Sequence, residues 1–69
     1  MKTKTIYIEG MSCMHCSARV EKALNEISGV HATVNLSDKL AIATIDDDIS
    51  NETLKNAVTE AGYEVTGIE

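Results

Sequence analysis

The chain has 69 residues, 43% of them hydrophobic, with two Tyr and no Trp or Phe, so its core must be aliphatic. Eleven Asp and Glu against six Lys and Arg give a net charge of -5, which argues against nucleic acid or an anionic membrane surface as a partner. The length predicts one small domain over residues 1–69.

The first half of the chain predicts a strand, a helix and a second strand. The alternating segment TIYIEG is typical of a strand that ends at Gly10. Apolar residues then recur at the i, i+3, i+4, i+7 spacing of a helix with one buried face, which the pair SG at 28–29 ends. The segment VHATVNL alternates again and predicts the next strand. The four apolar helix positions are Val20, Ala23, Leu24 and Ile27.

The second half predicts a strand, a helix and a last strand. After a turn at SDK, the segment LAIATI is apolar on both faces, so periodicity does not say which of its side chains point inward. Ser50 is predicted to cap the second helix, which Gly62 ends. YEVTGI then predicts a short strand. The apolar positions of this helix are Leu54, Ala57, Val58 and Ala61.

The order strand, helix, strand, strand, helix, strand predicts an α+β fold. It fits the ferredoxin-like βαββαβ sandwich, in which a four-stranded antiparallel sheet carries both helices on one face.

Two cysteines, Cys13 and Cys16, stand where the first helix begins. Cys13 is predicted in the loop after the first strand, and Cys16 in or just before the first helical turn. The unpaired N–H groups and the positive dipole end of a helix N-terminus stabilise thiolates. A disulfide between them would close only a very short loop, so we predict a chemical use for the pair rather than a structural one.

Two thiolates favour a soft metal ion such as Cu(I), Zn(II) or a heavier thiophilic ion. The pair is two ligands short of a tetrahedral zinc site, and His15 and His31 are not placed to complete it. Cu(I) is satisfied by two sulfurs.

A second interpretation of the CxxC pair is that the protein is a thiol-disulfide oxidoreductase, since these enzymes also place CxxC at a helix N-terminus. The chain has no proline, whereas thioredoxin-like sites resemble one another in a facing cis-proline. Disulfide-reductase turnover separates this alternative from a carrier.

The segment GMSCMHC resembles the GM(T/S)CxxC signature of heavy-metal-associated domains, and the resemblance extends over the whole chain to the late AGYEV. It is greatest to the bacterial CopZ-type copper chaperones. The resemblance implies Cu(I) bound by Cys13 and Cys16 and passed to a copper-transporting P-type ATPase. The alternatives are the N-terminal metal-binding domain of such an ATPase and a carrier of Hg(II) or Zn(II).

The resemblance implies roles for four further residues. Met11 matches a methionine that packs beneath the loop, and Ser12 favours copper because zinc and cadmium pumps tend to carry an acidic residue there. His15 is either an exposed imidazole or a third ligand in a copper-bridged homodimer. The ring of Tyr63 is expected to shield the thiolates from solvent.

Arg19 and Lys22 lie within two turns of the site on the predicted helix. We expect these cations to contact the partner, because most of the acidic residues lie elsewhere. No apolar leader or run of 18 apolar residues is present, which predicts a soluble, cytoplasmic protein. No catalytic activity is expected.

Overall fold

In the computed structural model, which describes residues 1–10 and 14–69, the helices and strands follow one another in the predicted order. The predicted elements are confirmed, with ends that differ by a few residues. The elements are β1 (Lys2–Glu9), α1 (Met14–Asn25), β2 (Val30–Asn35), β3 (Leu40–Ile45), α2 (Asn51–Glu60) and β4 (Glu64–Ile68).

The strands form one sheet in the order β2-β3-β1-β4, and each neighbouring pair is antiparallel. β1 and β3 are therefore central, and β2 and β4 are the edges. Helix α1 packs on β2, α2 packs on β4, and the two helices contact each other. The predicted ferredoxin-like α+β fold is confirmed.

The aliphatic core lies between the sheet and the helices, and it decides which side chains of β3 point inward. Ala41, Ala43 and Ile45 are fully buried, whereas Ile42 is 47% exposed on the other face. Small alanines beneath the helices let both helices approach the central strands closely. The remaining buried residues are Ile6, Ile8, Val20, Leu24, Val30, Ala32, Leu54 and Val58.

Helix α1 ends at Asn25, earlier than the apolar spacing indicates. Ile27 lies beyond the helix but still packs on the core, because the N–H of Ile27 donates to the carbonyl of Leu24 in a tighter last turn. Gly29 has a φ of +88°, and a Cβ there would stand 2.6 Å from a carboxylate oxygen of Asp46. The positive φ favours glycine at this position, and any other residue would also force the Asp46 side chain to shift.

Helix α2 begins with the predicted N-cap. Ser50 has extended backbone angles, and its hydroxyl oxygen accepts from the N–H of Thr53 at 3.2 Å. This bond satisfies one of the N–H groups that a helix start leaves unpaired. No helix in the described part of the chain is long and apolar enough to span a membrane.

Two polar side chains tie α1 to the outer edge of β2. Asn25 accepts from the N–H of Ala32 at 2.8 Å and donates to the carbonyl of Ala32 at 3.0 Å. Glu21 accepts from the N–H of Val34 at 3.2 Å. These bonds occupy backbone groups that an edge strand otherwise leaves open, and they fix the position of the helix that carries Cys16.

Candidate metal site

The register of β1 and β4 brings Tyr63 to the base of the cysteine-containing loop. Glu9 pairs with Glu64, so the residue after Glu9 and the residue before Glu64 face each other across the two strands. A Cβ on Gly10 would lie 3.4 Å from Cδ1 of Tyr63, and Gly10 has a φ of +93°. The chain therefore turns away from the sheet at Gly10 with the Tyr63 ring against it.

Cys16 is the third residue of α1 and is half-buried against the core. Its position agrees with the prediction of a cysteine in the first helical turn. The first turn of α1 carries no Asp or Glu, so no fixed carboxylate there opposes a negative sulfur atom. The amides of this turn provide a local positive potential for the Cys16 side chain.

Tyr63 connects Cys16 with Arg19. The hydroxyl of Tyr63 lies near both the Cys16 side chain and the Arg19 guanidinium. The pKa of Tyr63 is raised above its usual 10.0, first by the hydrogen bond to Cys16, then by desolvation and by the negative charge of the Cys16 sulfur. The positive charge of Arg19 lowers the pKa of Tyr63 and so partly offsets these effects.

The other two side chains of the first helical turn point outward. Met14 is 79% exposed and His15 is also exposed, so neither packs on Cys16 from the core side. The Ser17 hydroxyl donates to the carbonyl of Met14 at 2.9 Å, which occupies an acceptor within the same turn.

Met11, Ser12 and Cys13 lie outside the described residues, so the predictions for them are carried forward as predictions. Within residues 1–10 and 14–69, no three His, Cys, Asp or Glu side chains converge in a way that could hold a metal ion.

Arg19 and Lys22, the two predicted docking residues, are exposed and line one open groove between α1 and α2. In the described ranges, the ion pair within 4.0 Å joins the Met1 amino group to Asp47, and no carboxylate lies that close to either groove cation. Neither cation is therefore held in an ion pair among the described residues, although Glu26 and Glu60 line the same groove. The groove is also lined by Ala23, Glu26, Ile27, Ala57, Glu60 and Ala61.

The contact of Arg19 with Tyr63 was missed by the sequence analysis. Arg19 follows Cys16 by three residues, which places the two on the same face of a helix, and this spacing was a usable signal. The approach of Tyr63 to both depends on the β1 and β4 register, which no local pattern contains.

The arrangement offers the half-buried sulfur of Cys16, three residues after a second cysteine in the sequence. Sulfur ligands select soft ions. Coordination of a soft ion by few ligands permits a second protein to supply its own thiolate.

Comparison with known proteins identifies similar chains over nearly the whole length. A family model described as heavy-metal-associated domain matches residues 5–64. The copper chaperone CopZ of Staphylococcus saprophyticus is 43% identical over 67 residues, covering 94% of this chain and 98% of its own.

Two solved structures share the fold. One, named CopZ metallochaperone, has a TM-score of 0.89 and 39% identity, covering 94% of this chain and 100% of its own. The other is the N-terminal domain of a potential copper-translocating P-type ATPase from Bacillus subtilis in the Cu(I)-loaded state. It has a TM-score of 0.85 and 36% identity, covering 100% of this chain and 92% of its own.

Proposed function

Because the chain belongs to the heavy-metal-associated domain family, we propose that it is a copper carrier that binds Cu(I) and passes it to the metal-binding domain of a copper-transporting P-type ATPase. In this proposal residues 1–69 act as a single domain, in the cytoplasm, without catalytic activity. The observation that carries the proposal is the position of Cys16 in the first turn of α1, with Tyr63 against it.

Cys13 and Cys16 are the proposed ligands. Cu(I) is a soft d10 ion for which two thiolates suffice, so a pair of cysteines three residues apart needs no further ligand. Met11 is predicted to support the loop from the core side, and Ser12 gives the sequence no acidic group before Cys13. His15 is exposed, which makes it accessible to a second copy in a copper-bridged homodimer.

Transfer proceeds by thiolate exchange rather than by release into water. A partner thiolate forms a bond to copper, one thiolate of this chain leaves, and copper stays Cu(I), so no electron moves. Cys13 is expected to leave first because the sequence predicts it in the loop, and Cys16 later because α1 holds it. Trapping of mixed complexes with Cys13→Ser and Cys16→Ser checks this order, and the reverse order would contradict it.

Arg19 and Lys22 form the proposed docking surface. Both are exposed cations on α1 near the site, and neither is neutralised by a carboxylate among the described residues. A partner with acidic residues beside its own cysteines would be attracted to them. Transfer rates should then fall as the ionic strength rises and fall further in Lys22→Glu.

The similarity to an ATPase domain supports a second candidate function. The Bacillus subtilis domain covers the whole of this chain, so the same fold and the same two cysteines would serve as the N-terminal domain of a copper ATPase. The parent gene product separates the two: a pump sequence after Glu69 would assign the chain to the ATPase.

The test is an anaerobic titration of the reduced protein with Cu(I) against a coloured competing chelator, with Zn(II) and Hg(II) in parallel. We expect about one Cu(I) per monomer or a copper-bridged dimer by light scattering, and loss of tight binding in Cys13→Ser and Cys16→Ser. The matched control is Ser17→Ala, which changes the same helical turn without removing sulfur.

Three outcomes would count against the proposal. Tighter binding of Zn(II) than of Cu(I) would make the chain a zinc carrier, and preference for Hg(II) would make it a mercury carrier. Turnover in a disulfide-reduction assay, lost in Cys16→Ser, would make it an oxidoreductase.

A further inference from the structure

Bound Cu(I) leaves the site with an uncompensated charge. Two thiolates and one Cu(I) carry a net charge of -1, and the loop is flanked on the sheet side by Glu9 and Glu64, which pair directly across β1 and β4. Like charges at this separation repel each other and the bound complex. A nearby cation would therefore stabilise the loaded state.

Arg19 is the cation that the fold brings to the sulfur. It lies one helical turn after Cys16, so the two side chains share a face of α1. The ring of Tyr63, which lies against Gly10 at the base of the loop, is near both side chains. No carboxylate in the described part of the chain lies within 4.0 Å of Arg19 to neutralise it.

Lys22 differs from Arg19 although both line the same groove. It stands six residues after Cys16, nearly two turns along the helix, and it has no described contact with Tyr63. An ammonium group also lacks the planar fork with which a guanidinium holds two acceptors at once.

We infer that Arg19 is part of the metal site itself, where its guanidinium, one helical turn after Cys16, stabilises the negative charge of the copper-loaded thiolates. The inference rests on the proposed copper function and assigns Arg19 a role that does not require a partner. Lys22 keeps only the docking role.

The first experiment measures the local charge at Cys16 in the apoprotein. In a Cys13→Ser background, only Cys16 reacts with alkylating agents, and the rate ratio of anionic iodoacetate to neutral iodoacetamide reports the potential at the sulfur. Arg19→Gln should lower this ratio roughly 3- to 10-fold, as for unit charges about 6 Å apart at an effective dielectric constant of about 40 to 80. Added salt should reduce the difference.

The second experiment measures Cu(I) affinity without a partner by chelator competition. Arg19→Gln in the two-cysteine protein should weaken binding by a factor similar to the change in the alkylation ratio, and Arg19→Lys should weaken it less. The matched control is Lys55→Gln, which removes the same charge from the exposed face of α2. It should change both quantities by less than about 1.5-fold, because its charge is distant and screened.

Unchanged alkylation and affinity in Arg19→Gln, with slower transfer to a partner, would overturn the inference and leave Arg19 as a docking residue. An equal effect of Lys55→Gln would also overturn it, because net charge alone would then explain the change. If the wild-type protein failed to bind Cu(I), the proposed function would fail, and the alkylation ratio would still decide whether Arg19 acts on Cys16.

Discussion

Replacement of Asn25 by alanine should loosen the attachment of α1 to the sheet. The variant loses the two hydrogen bonds to Ala32, at 2.8 and 3.0 Å, and an exposed bond at 2.9 Å to the carbonyl of Glu21 within α1. The two part-buried bonds to Ala32 set the magnitude. A net contribution of about 0.5 to 1.5 kcal/mol each gives a loss of about 1 to 3 kcal/mol in the free energy of unfolding. The higher helix propensity of alanine offsets a few tenths of a kcal/mol of this. For a domain of this size, each kcal/mol lowers the midpoint temperature by roughly 4 to 8 °C.

Urea unfolding and amide hydrogen exchange check this prediction together. Exchange at Ala32 should accelerate more than at Val34, whose N–H is held by Glu21 and not by Asn25. The control is Asn56→Ala on the exposed side of α2, which should change stability by less than about 0.5 kcal/mol. A loss in Asn25→Ala no larger than in the control, or equal acceleration at both amides, would refute the assignment of the edge bonds to Asn25.

Three further predictions concern the N-cap, the sheet and the tyrosine. Ser50→Ala should cost about 1 kcal/mol in urea unfolding, and no loss would mean that the cap contributes nothing. Glu64→Gln should stabilise the fold by about 0.2 to 1 kcal/mol by removing repulsion with Glu9, whereas destabilisation would contradict the cross-strand pairing. The raised pKa of Tyr63 favours the folded state below pH 10.0, and this contribution is lost as the pH rises through the raised value. In Cys16→Ala, absorbance titration should show the pKa of Tyr63 lower than in the parent, and an unchanged value would exclude the hydrogen bond.

Local patterns in the sequence were sufficient for the elements of this fold. Apolar spacing located both helices, and the preference of serine for an N-cap located the start of α2. The inward face of β3 could not be predicted in the same way, since every residue but one of LAIATI is apolar. It became clear only with the sheet order, which places β3 between β2 and β1 with the helices on one side.

The candidate site likewise has one part that local sequence patterns predict and one part that they do not. The position of Cys16 in a helical turn follows from nearby residues, so the sequence indicates it. The approach of Tyr63 to Cys16 joins residues 47 positions apart in the sequence. It depends on a shift in the pairing of β1 with β4, which occurs between Tyr7 and Ile8. Such a shift leaves no periodic signal in the sequence, because a strand with one extra residue in its pairing has the same local pattern as a regular short strand.

A carrier must hold its cargo at an exposed place without letting the surrounding structure open. In this chain the two requirements fall on opposite ends of α1: Cys16 stands in the first turn, and Asn25 ends the helix with its hydrogen bonds to β2. The bonds of Asn25 restrain the helix at the end opposite to Cys16. Changes at Asn25 should therefore lower stability and leave Cu(I) affinity unchanged below the unfolding transition, whereas changes at Arg19 should lower affinity and leave stability unchanged. Coupled losses in both variants would mean that one cooperative unit controls the fold and the site together.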